Sequence, residues 1–484
     1  MYHISDQANH CIKFERSARG VKNMRVMKFG GTSIKDARAI RNVAGIIETH
    51  IHTKPVVVVS AMAGVTDILQ DSVKAAAGQD ASAIQSIIEE IEHKHVVVIK
   101  ELLDNTSYFT KLRHAIHTEV EKLAVLLSAT RTIRIQIDDL SHAVLSIGEL
   151  LSSVILSTYL NYKGLSAQWV DAREIMVTTN HNKQIVPVLR SIKEKAAERI
   201  LPLMQKEQAV ITQGFISATS EGVPTTLGRN GSDFSASLLG AAIGAEQIQI
   251  WTDVDGILTA DPTIIPTARV LETMTFDEAS ELAYFGGRVL YPAAIQPALE
   301  KGIPVYVLNS TRPQSRGTLI LNHNVEADER PVKSIVYKEN ITLITIQASQ
   351  LLLNTDMMGR LFQRLSDLRM RVYAVSKSAT KLTLTVEGNA ALQSMLSELP
   401  DIDRFDVMEQ KAIISVVGER MKEHPQLAWK IIKMLQDKGI PIDLISQFAT
   451  QISFMFIIDE NNINQTIHLL HHKLIENNTR IHQV

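Results

Sequence analysis

A single cysteine, Cys11, in 484 residues excludes an internal disulfide and any cysteine-built metal cluster, and it suits a reducing, cytoplasmic setting. Charge of one sign is also scarce. Fifty Lys and Arg nearly balance 52 Asp and Glu, so no long-range field draws the chain to nucleic acid or to an acidic membrane surface. Any anionic ligand must then be held by a local site. No uninterrupted apolar run reaches the ~18 residues of a membrane span, and the first residues lack the apolar core and small-residue cleavage site of a secretory signal. Gly-x-x-x-x-Gly-Lys-Ser/Thr is absent and no Gly-x-Gly-x-x-Gly follows a strand, so the common nucleotide fingerprints do not apply.

What is present is a different kind of phosphate cradle. The apolar strand Arg25-Val26-Met27-Lys28-Phe29 runs into Gly30-Gly31-Thr32-Ser33. Two glycines at a strand end let backbone amides approach an anion, a following helix start adds unpaired N–H groups, and Lys28 adds a mobile point charge. The Ser33-x-x-Asp36 spacing reads as a capping pair for a helix beginning near Ser33. Val26–Phe29 and 55–61 read as buried parallel strands joined by a helix over 34–50, and residues 67–128 read as a helical insertion. Further on, 209–215 is an apolar strand with 222–227 as its hairpin neighbour. The Gly228-Arg229-Asn230-Gly231 turn opens a helix capped by Ser232 or Asp233, and 247–251 is the next strand.

From about Val332 the pattern changes. Strands at 341–347, 371–376 and 381–387 with a helix over 356–368 form one unit. Strands at 412–417, 441–448 and 452–458 with a helix over 426–438 form a second. The second unit lacks a clear final strand, so 333–337 is expected to complete its sheet and interleave the two. In the terminal segment, His468, His471 and His472 flank an apolar stripe of Ile463, Ile467, Leu470 and Leu474. A solvated flank is the expectation for these histidines, not a metal site.

Six segments in order resemble the motif series of aspartokinases: KFGGTS (28–33), VVVVSAMAGVTD (56–67), IGE (147–149), GRNGSDFSA (228–236), WTDVDGILTADP (251–262) and FGGRVLYP (285–292). The two C-terminal units resemble that family's paired ACT modules. The resemblance implies an α/β fold: a three-layer αβα amino acid kinase domain over 24–322 with a mostly parallel sheet, then α+β, ferredoxin-like ACT regions over 332–409 and 410–484. Residues 1–23 are expected to be a poorly ordered extension. The implied reaction passes the γ-phosphoryl group of ATP to the side-chain carboxylate of L-aspartate, with Mg²⁺ carried on the ATP phosphates. Such a carboxylate, with an ordinary pKa near ~3.9, needs no general base.

By the same resemblance Lys28 and Asp233 are the catalytic pair, with Asp233 orienting Lys28 or the metal shell. Lys28, Gly30, Gly31, Thr252, Asp253 and Arg288 are implied for ATP, with Asp255 and Asp261 in the same loop. Arg229 is implied for the substrate α-carboxylate, Glu149 for its ammonium, and Ser60 and Thr66 for hydroxyl bonds. Thr263 and Arg288 depart from the family's basic residue after Asp-Pro and its Lys in Phe-Gly-x-Lys. The ACT modules imply an amino-acid effector, threonine or lysine, and a homodimer. Asn354, Asp356, Met357 and Tyr373 would frame one effector site, and Asp443 and Gln447 belong to the other. Tyr373 stands where lysine-sensitive relatives place an acidic residue, which takes away a cationic effector's partner. Acetylglutamate and glutamate kinases share the cradle, and a catalytically silent sensor would keep the ACT modules. The ACT pair and the provision of Arg229 and Glu149 for a free amino acid argue against those kinases, and the persistence of Lys28, Arg229 and Asp233 argues against the silent sensor.

Overall fold

A computed structural model describes residues 24–133, 137–181, 184–206, 208–287, 290–322, 330–347, 355–388, 391–398, 404–447 and 452–477. The expected extension 1–23, and with it Cys11, lies outside these residues. So do Arg288 and Asn354.

Four consecutive valines, Val56–Val59, and their neighbours Val26, Met27 and Phe29 are fully buried, as central strands of a parallel sheet covered on both faces must be. That sheet has eight strands. Its order is Thr273–Thr275, Thr318–Leu321, Val305–Asn309, Gln247–Thr252, Arg25–Phe29, Val56–Val59, Ala209–Gln213, Ala167–Trp169. Only the pair Val305–Asn309 with Thr318–Leu321 is antiparallel. Helices Gly231–Ile243, Leu189–Arg199 and Pro292–Leu299 form one layer, and Ala37–His50 and Ile137–Tyr162 form another. The hairpin expected for 209–215 is shifted. Ala209–Gln213 belongs to the main sheet, whereas Pro224–Thr226 pairs with Ile216–Thr219 in a separate four-stranded sheet with Val177–His181 and Gln184–Pro187.

Helices Val65–Ala77, Ala81–Leu103 and Ser107–Ile133 make the expected insertion. Leu140–Tyr162 is long and apolar enough to cross a membrane, yet 78% of that window is buried among these helices, so it is a core helix of the fold. Within Ala81–Leu103 the inward stripe includes Ile91, His95, Val98, Ile99 and Leu102. His95 Nδ1 lies 2.7 Å from the Ile91 carbonyl, and its buried Nε2 has no partner among the described residues. Burial lowers its pKa to about 4. Because the folded value lies below the unfolded one, the unfolded chain binds the extra proton first, and stability is lost as pH falls from about 6.5 toward about 4. The full loss is on the order of 3 kcal/mol. Urea denaturation at pH 7 and pH 5 should show this slope in the wild type and a flatter one in His95→Leu; equal slopes would assign the acid sensitivity elsewhere.

The C-terminal sheet has six antiparallel strands in the order Val372–Lys377, Lys381–Glu387, Ser334–Gln347, Arg404–Val417, Ser453–Asp459, Leu444–Gln447. Its two 14-residue central strands each serve both units. Ser334–Lys338 pairs with Ile413–Val417 in the second unit, and Ile341–Gln347 pairs with Arg404–Lys411 in the first. The interleaving expected of 333–337 is therefore present. Amphipathic helices Thr355–Asp367 and Gln426–Asp437 bury their apolar stripes on this sheet, Leu361 and Leu365 from one and Leu427, Ile431 and Leu435 from the other.

Helix Phe276–Tyr284 joins the two sheets' domains. Thr275 and Glu278 form its capping box. The same Glu278 carboxylate, itself fully buried with Lys333, accepts from Lys333 Nζ at 2.9 Å and from the part-buried Glu419 amide at 2.8 Å.

Candidate active site

The candidate residues meet at the carboxyl ends of the central strands, the edge where open α/β sheets bind ligands. After Phe29 the chain forms a short 3₁₀ turn, Gly31–Ile34, and the α-helix starts only at Ala37. The Ser33–Asp36 capping pair does not form. Asp36 alone is the cap, accepting from the Ala39 amide at 2.8 Å, because Ser33 is buried and turned the other way, its Oγ 2.8 Å from Ser310 Oγ. The Gly30 amide is engaged with the Trp251 carbonyl at 3.3 Å. Gly31 and Thr32, the first residues of the turn, carry amides that its own i→i+3 bonds do not use. A Cβ on Gly31 would sit 2.7 Å from the Ala61 carbonyl oxygen, so only glycine lets this loop lie against the end of Val56–Val59.

Lys28 Nζ is 2.6 Å from Asp233 Oδ1, and the side chains are only 12% and 10% exposed. Such a shielded pair is screened far less than a surface ion pair. The Lys28 ammonium lies 3.5 Å from where a Gly30 Cβ would be, placing the charge over the glycine turn. Neither Ser232 nor Asp233 caps its helix. The helix begins at Gly231 behind Asn230, which adopts the left-handed conformation at φ 56°, and Ser232 and Asp233 fall within its first turn, turned into the cleft. Ser60 Oγ bonds Ser232 Oγ at 3.0 Å, so the loop after Val56–Val59 and this helix start are stitched together. Gly214 permits that contact, since a Cβ there would lie 2.5 Å from the Ser232 Cβ.

Glu149, on helix Ile137–Tyr162, reaches the same loop. Its Oε1 accepts from the Ala61 amide at 3.2 Å, while its buried Oε2 has no partner among the described residues. Burial drives its pKa up to about 8, against the stabilising pull of the Ala61 amide on the carboxylate. Thr66 is half-buried at the second position of helix Val65–Ala77. Arg229 is exposed on the loop before Gly231 and makes no ion pair among the described residues.

Thr252 ends its strand, and its hydroxyl bonds the exposed Asp253 at 3.2 Å. Asp255 is held by Asn309 at 2.7 Å and by Arg312, while Asp261 accepts from the amide and hydroxyl of Thr263 and from Tyr337. Thr263 thus closes its own turn where the family carries a basic residue. Sequence reasoning missed Ser310 and Asn309, and with Ser310 the partner of Ser33. The usable signal was the position of Asn309-Ser310 just past a buried strand at the same sheet edge.

The residues singled out in the C-terminal units are dispersed. Asp356 is exposed and Met357 is packed in the core with Leu361 and Leu365. Tyr373 is buried against Tyr284 and Phe285, with ring centroids 5.5 Å apart for Tyr284 and Tyr373. Asp443 pairs with Lys411 at 3.0 Å, and Gln447 ends the strand Leu444–Gln447. His471 departs from the expected solvated flank. It is 1% exposed, with Nε2 3.0 Å from Thr259 Oγ1 and Nδ1 3.3 Å from Glu476.

Comparisons with known proteins give the family. The Amino acid kinase family matches residues 23–309, and the ACT domain family matches residues 414–474. Aspartokinase 1 of Arabidopsis thaliana, a chloroplastic protein, is 33% identical over 468 residues, covering 93% of this chain and 80% of its own. Aspartokinase III of E. coli in complex with lysine and aspartate superposes with a TM-score of 0.81 at 30% identity, covering 94% of this chain and 100% of that one. Its complex with aspartate and ADP gives 0.76 at 30% identity, covering 93% and 99%. The chain belongs to the aspartokinase branch of the amino acid kinase family.

Proposed function

We propose that this cleft carries out the reaction of an aspartate kinase as follows: Lys28 and the Gly31–Thr32 amides hold the migrating γ-phosphoryl group of ATP while Arg229 and Glu149 anchor L-aspartate opposite. The observation that carries this reading is the shielded Lys28–Asp233 pair over the glycine turn. The acceptor carboxylate is already ionised near neutral pH, so the chain supplies no base. Its work is electrostatic: bringing two anions together and spreading charge over the phosphoryl oxygens. Asp233 holds the Lys28 ammonium in place. With the Gly30 amide occupied, the Gly31 and Thr32 amides are the donors aimed at a phosphoryl oxygen. Thr252 and Asp253 stand where adenine and ribose would lie.

Among the described residues no three His, Cys, Asp or Glu side chains cluster to hold a metal. A Mg²⁺ ion would arrive on ATP, keep most of its waters and take one or two carboxylates. Asp233 would face its water shell, and the ion would supply neutralisation of the phosphates. ATP-dependent hydroxamate formation with aspartate and not with glutamate tests the reaction; a preference for glutamate would overturn it.

Glu149 gives the site a pH signature. A neutral carboxyl cannot pair with the substrate ammonium, so with a pKa of about 8 the free enzyme should lose kcat/KM for aspartate roughly tenfold per unit below that value. Glu149→Gln should raise KM and flatten the profile. An unchanged profile would detach Glu149 from the ammonium.

The proposed units are a catalytic domain over 24–322 and ACT regions over 332–409 and 410–484, sharing the strand Ser334–Gln347. Regulation by an amino acid acts through the ACT regions, with threonine or lysine as the candidates and a homodimer as the assembly. The aromatic setting of Tyr373 offers a cationic effector no carboxylate there. The near balance of charge and single cysteine favour a cytoplasmic location.

A further inference from the structure

Three neighbouring parallel strands, Arg25–Phe29, Gln247–Thr252 and Val305–Asn309, end at one level, with Phe29 beside Trp251 and Asn309 beside Thr252. The loops leaving them diverge. Arg25–Phe29, which carries Lys28, runs into the glycine turn, and Gln247–Thr252 runs into Asp253. Between them lies a chain of two buried hydroxyls. Ser310 Oγ donates to the Thr252 carbonyl at 3.0 Å, and with its hydrogen so used it accepts from Ser33 Oγ at 2.8 Å. Ser33 and Ser310 are 2% and 3% exposed, and Ser310 is the well-placed hydrogen-bond partner of the Ser33 hydroxyl. The alternative acceptor for Ser33, the Trp251 carbonyl, is 3.5 Å away, the outer limit of a hydrogen bond.

We infer that Ser310 is a positioning residue for nucleotide binding: its hydroxyl, through Ser33, locks the phosphate loop to the Thr252–Asp253 loop, so that the triphosphate and the nucleoside are presented at a fixed separation. The inference rests on the phosphoryl-transfer reaction proposed above. A purely structural role is not enough to explain the arrangement. The Ser310 amide already bonds the Thr252 carbonyl at 2.8 Å, so deleting the hydroxyl leaves that carbonyl satisfied and both strands paired. What it removes, among the described residues, is the side-chain link from the Thr252 carbonyl through Ser310 to Ser33.

Ser310→Ala should raise KM for ATP about 5- to 10-fold, the equivalent of one neutral hydrogen bond. KM for aspartate should stay within twofold and the melting temperature near that of the wild type. Ser33→Ala should give a similar rise, and the double variant should be no worse than either single one, since both remove the same link. Fluorescent mant-ADP titration with Mg²⁺ should show the same weakening of Kd independently of any acceptor. Multiplying effects in the double variant, or a fall in melting temperature with Kd and KM for ATP unchanged, would overturn the inference. Wild-type protein that binds mant-ADP yet phosphorylates no aspartate would instead defeat the proposed reaction, and the Kd comparison would still decide the role of Ser310.

Discussion

Lys28→Ala should lower kcat by about 10³-fold, the scale of losing a cation that stabilises phosphoryl-transfer charge. That corresponds to about 4 kcal/mol of transition-state stabilisation. The local geometry explains why one side chain should count for so much. Lys28 lies over the glycine turn, is almost shielded from solvent, and is held at 2.6 Å by Asp233. A carboxylate approaching a phosphoryl group is repelled across the same cleft. In a protected setting of effective dielectric near ~20, charges ~4 Å apart interact by about 4 kcal/mol. Hydroxamate assays at saturating ATP and aspartate isolate kcat. A melting curve is the needed companion, because removing Lys28 leaves the Asp233 carboxylate without its counterion. Asp233→Asn keeps the cation but releases its tether, so it should lose less than Lys28→Ala. Turnover of Lys28→Ala within tenfold of wild type would move the phosphoryl clamp to another residue.

The central sheet was legible because Val56–Val59 and Val26–Phe29 carry the unbroken apolar runs of strands buried on both faces. The short strands Ala167–Trp169, Thr273–Thr275 and Thr318–Leu321 were not, since three or four residues carry no measurable alternation. Helix starts were misplaced for a local reason. Ser33, Ser232 and Asp233 are residue types that cap helices, but tertiary partners took their side chains: Ser310, Ser60 and Lys28. Their capping signal was genuine chemistry serving a different contact. The same competition hid His471, which falls beside the apolar stripe and not in it, while Thr259, distant in sequence, supplies its partner. The interleaved sheet was readable from an absence, the missing final strand of the second unit.

The joint between domains was invisible in the sequence, and it bears on regulation. Glu278 serves at once as the second half of a capping box and as the acceptor for Lys333 and the Glu419 amide. Ser453 bonds Glu281 at 2.8 Å one turn along, and Tyr284 donates to the Val372 carbonyl at 3.2 Å. A single helix therefore touches both C-terminal units and leads directly into Phe285-Gly286-Gly287, where Phe285 packs with Ile341, Tyr373 and Ile413 and Gly286 lies against the Tyr337 carbonyl. Were either unit to move on binding an effector, this helix is the element through which the displacement would reach the catalytic domain.

Arg229→Ala should raise KM for aspartate about 10- to 100-fold with a much smaller effect on kcat. The side chain is exposed and makes no ion pair among the described residues, so its removal takes away no described ion-pair support from the fold. Its loop is nonetheless fixed at the cleft, because the helix that begins two residues later presents Ser232 to Ser60 and Asp233 to Lys28. A guanidinium fork holding a carboxylate through charge-assisted bonds contributes about 1.5–3 kcal/mol, which is the stated range in KM. Arg229→Lys should fall between, since an ammonium keeps the charge and loses the planar two-point grip. A substrate comparison identifies which carboxylate is gripped. β-Alanine is aspartate without its α-carboxylate. The wild-type enzyme should discriminate against it by about the same factor that Arg229→Ala loses with aspartate, and in the variant that discrimination should collapse. If the variant still prefers aspartate over β-alanine by the wild-type margin, the α-carboxylate is held by another residue and Arg229 acts at long range.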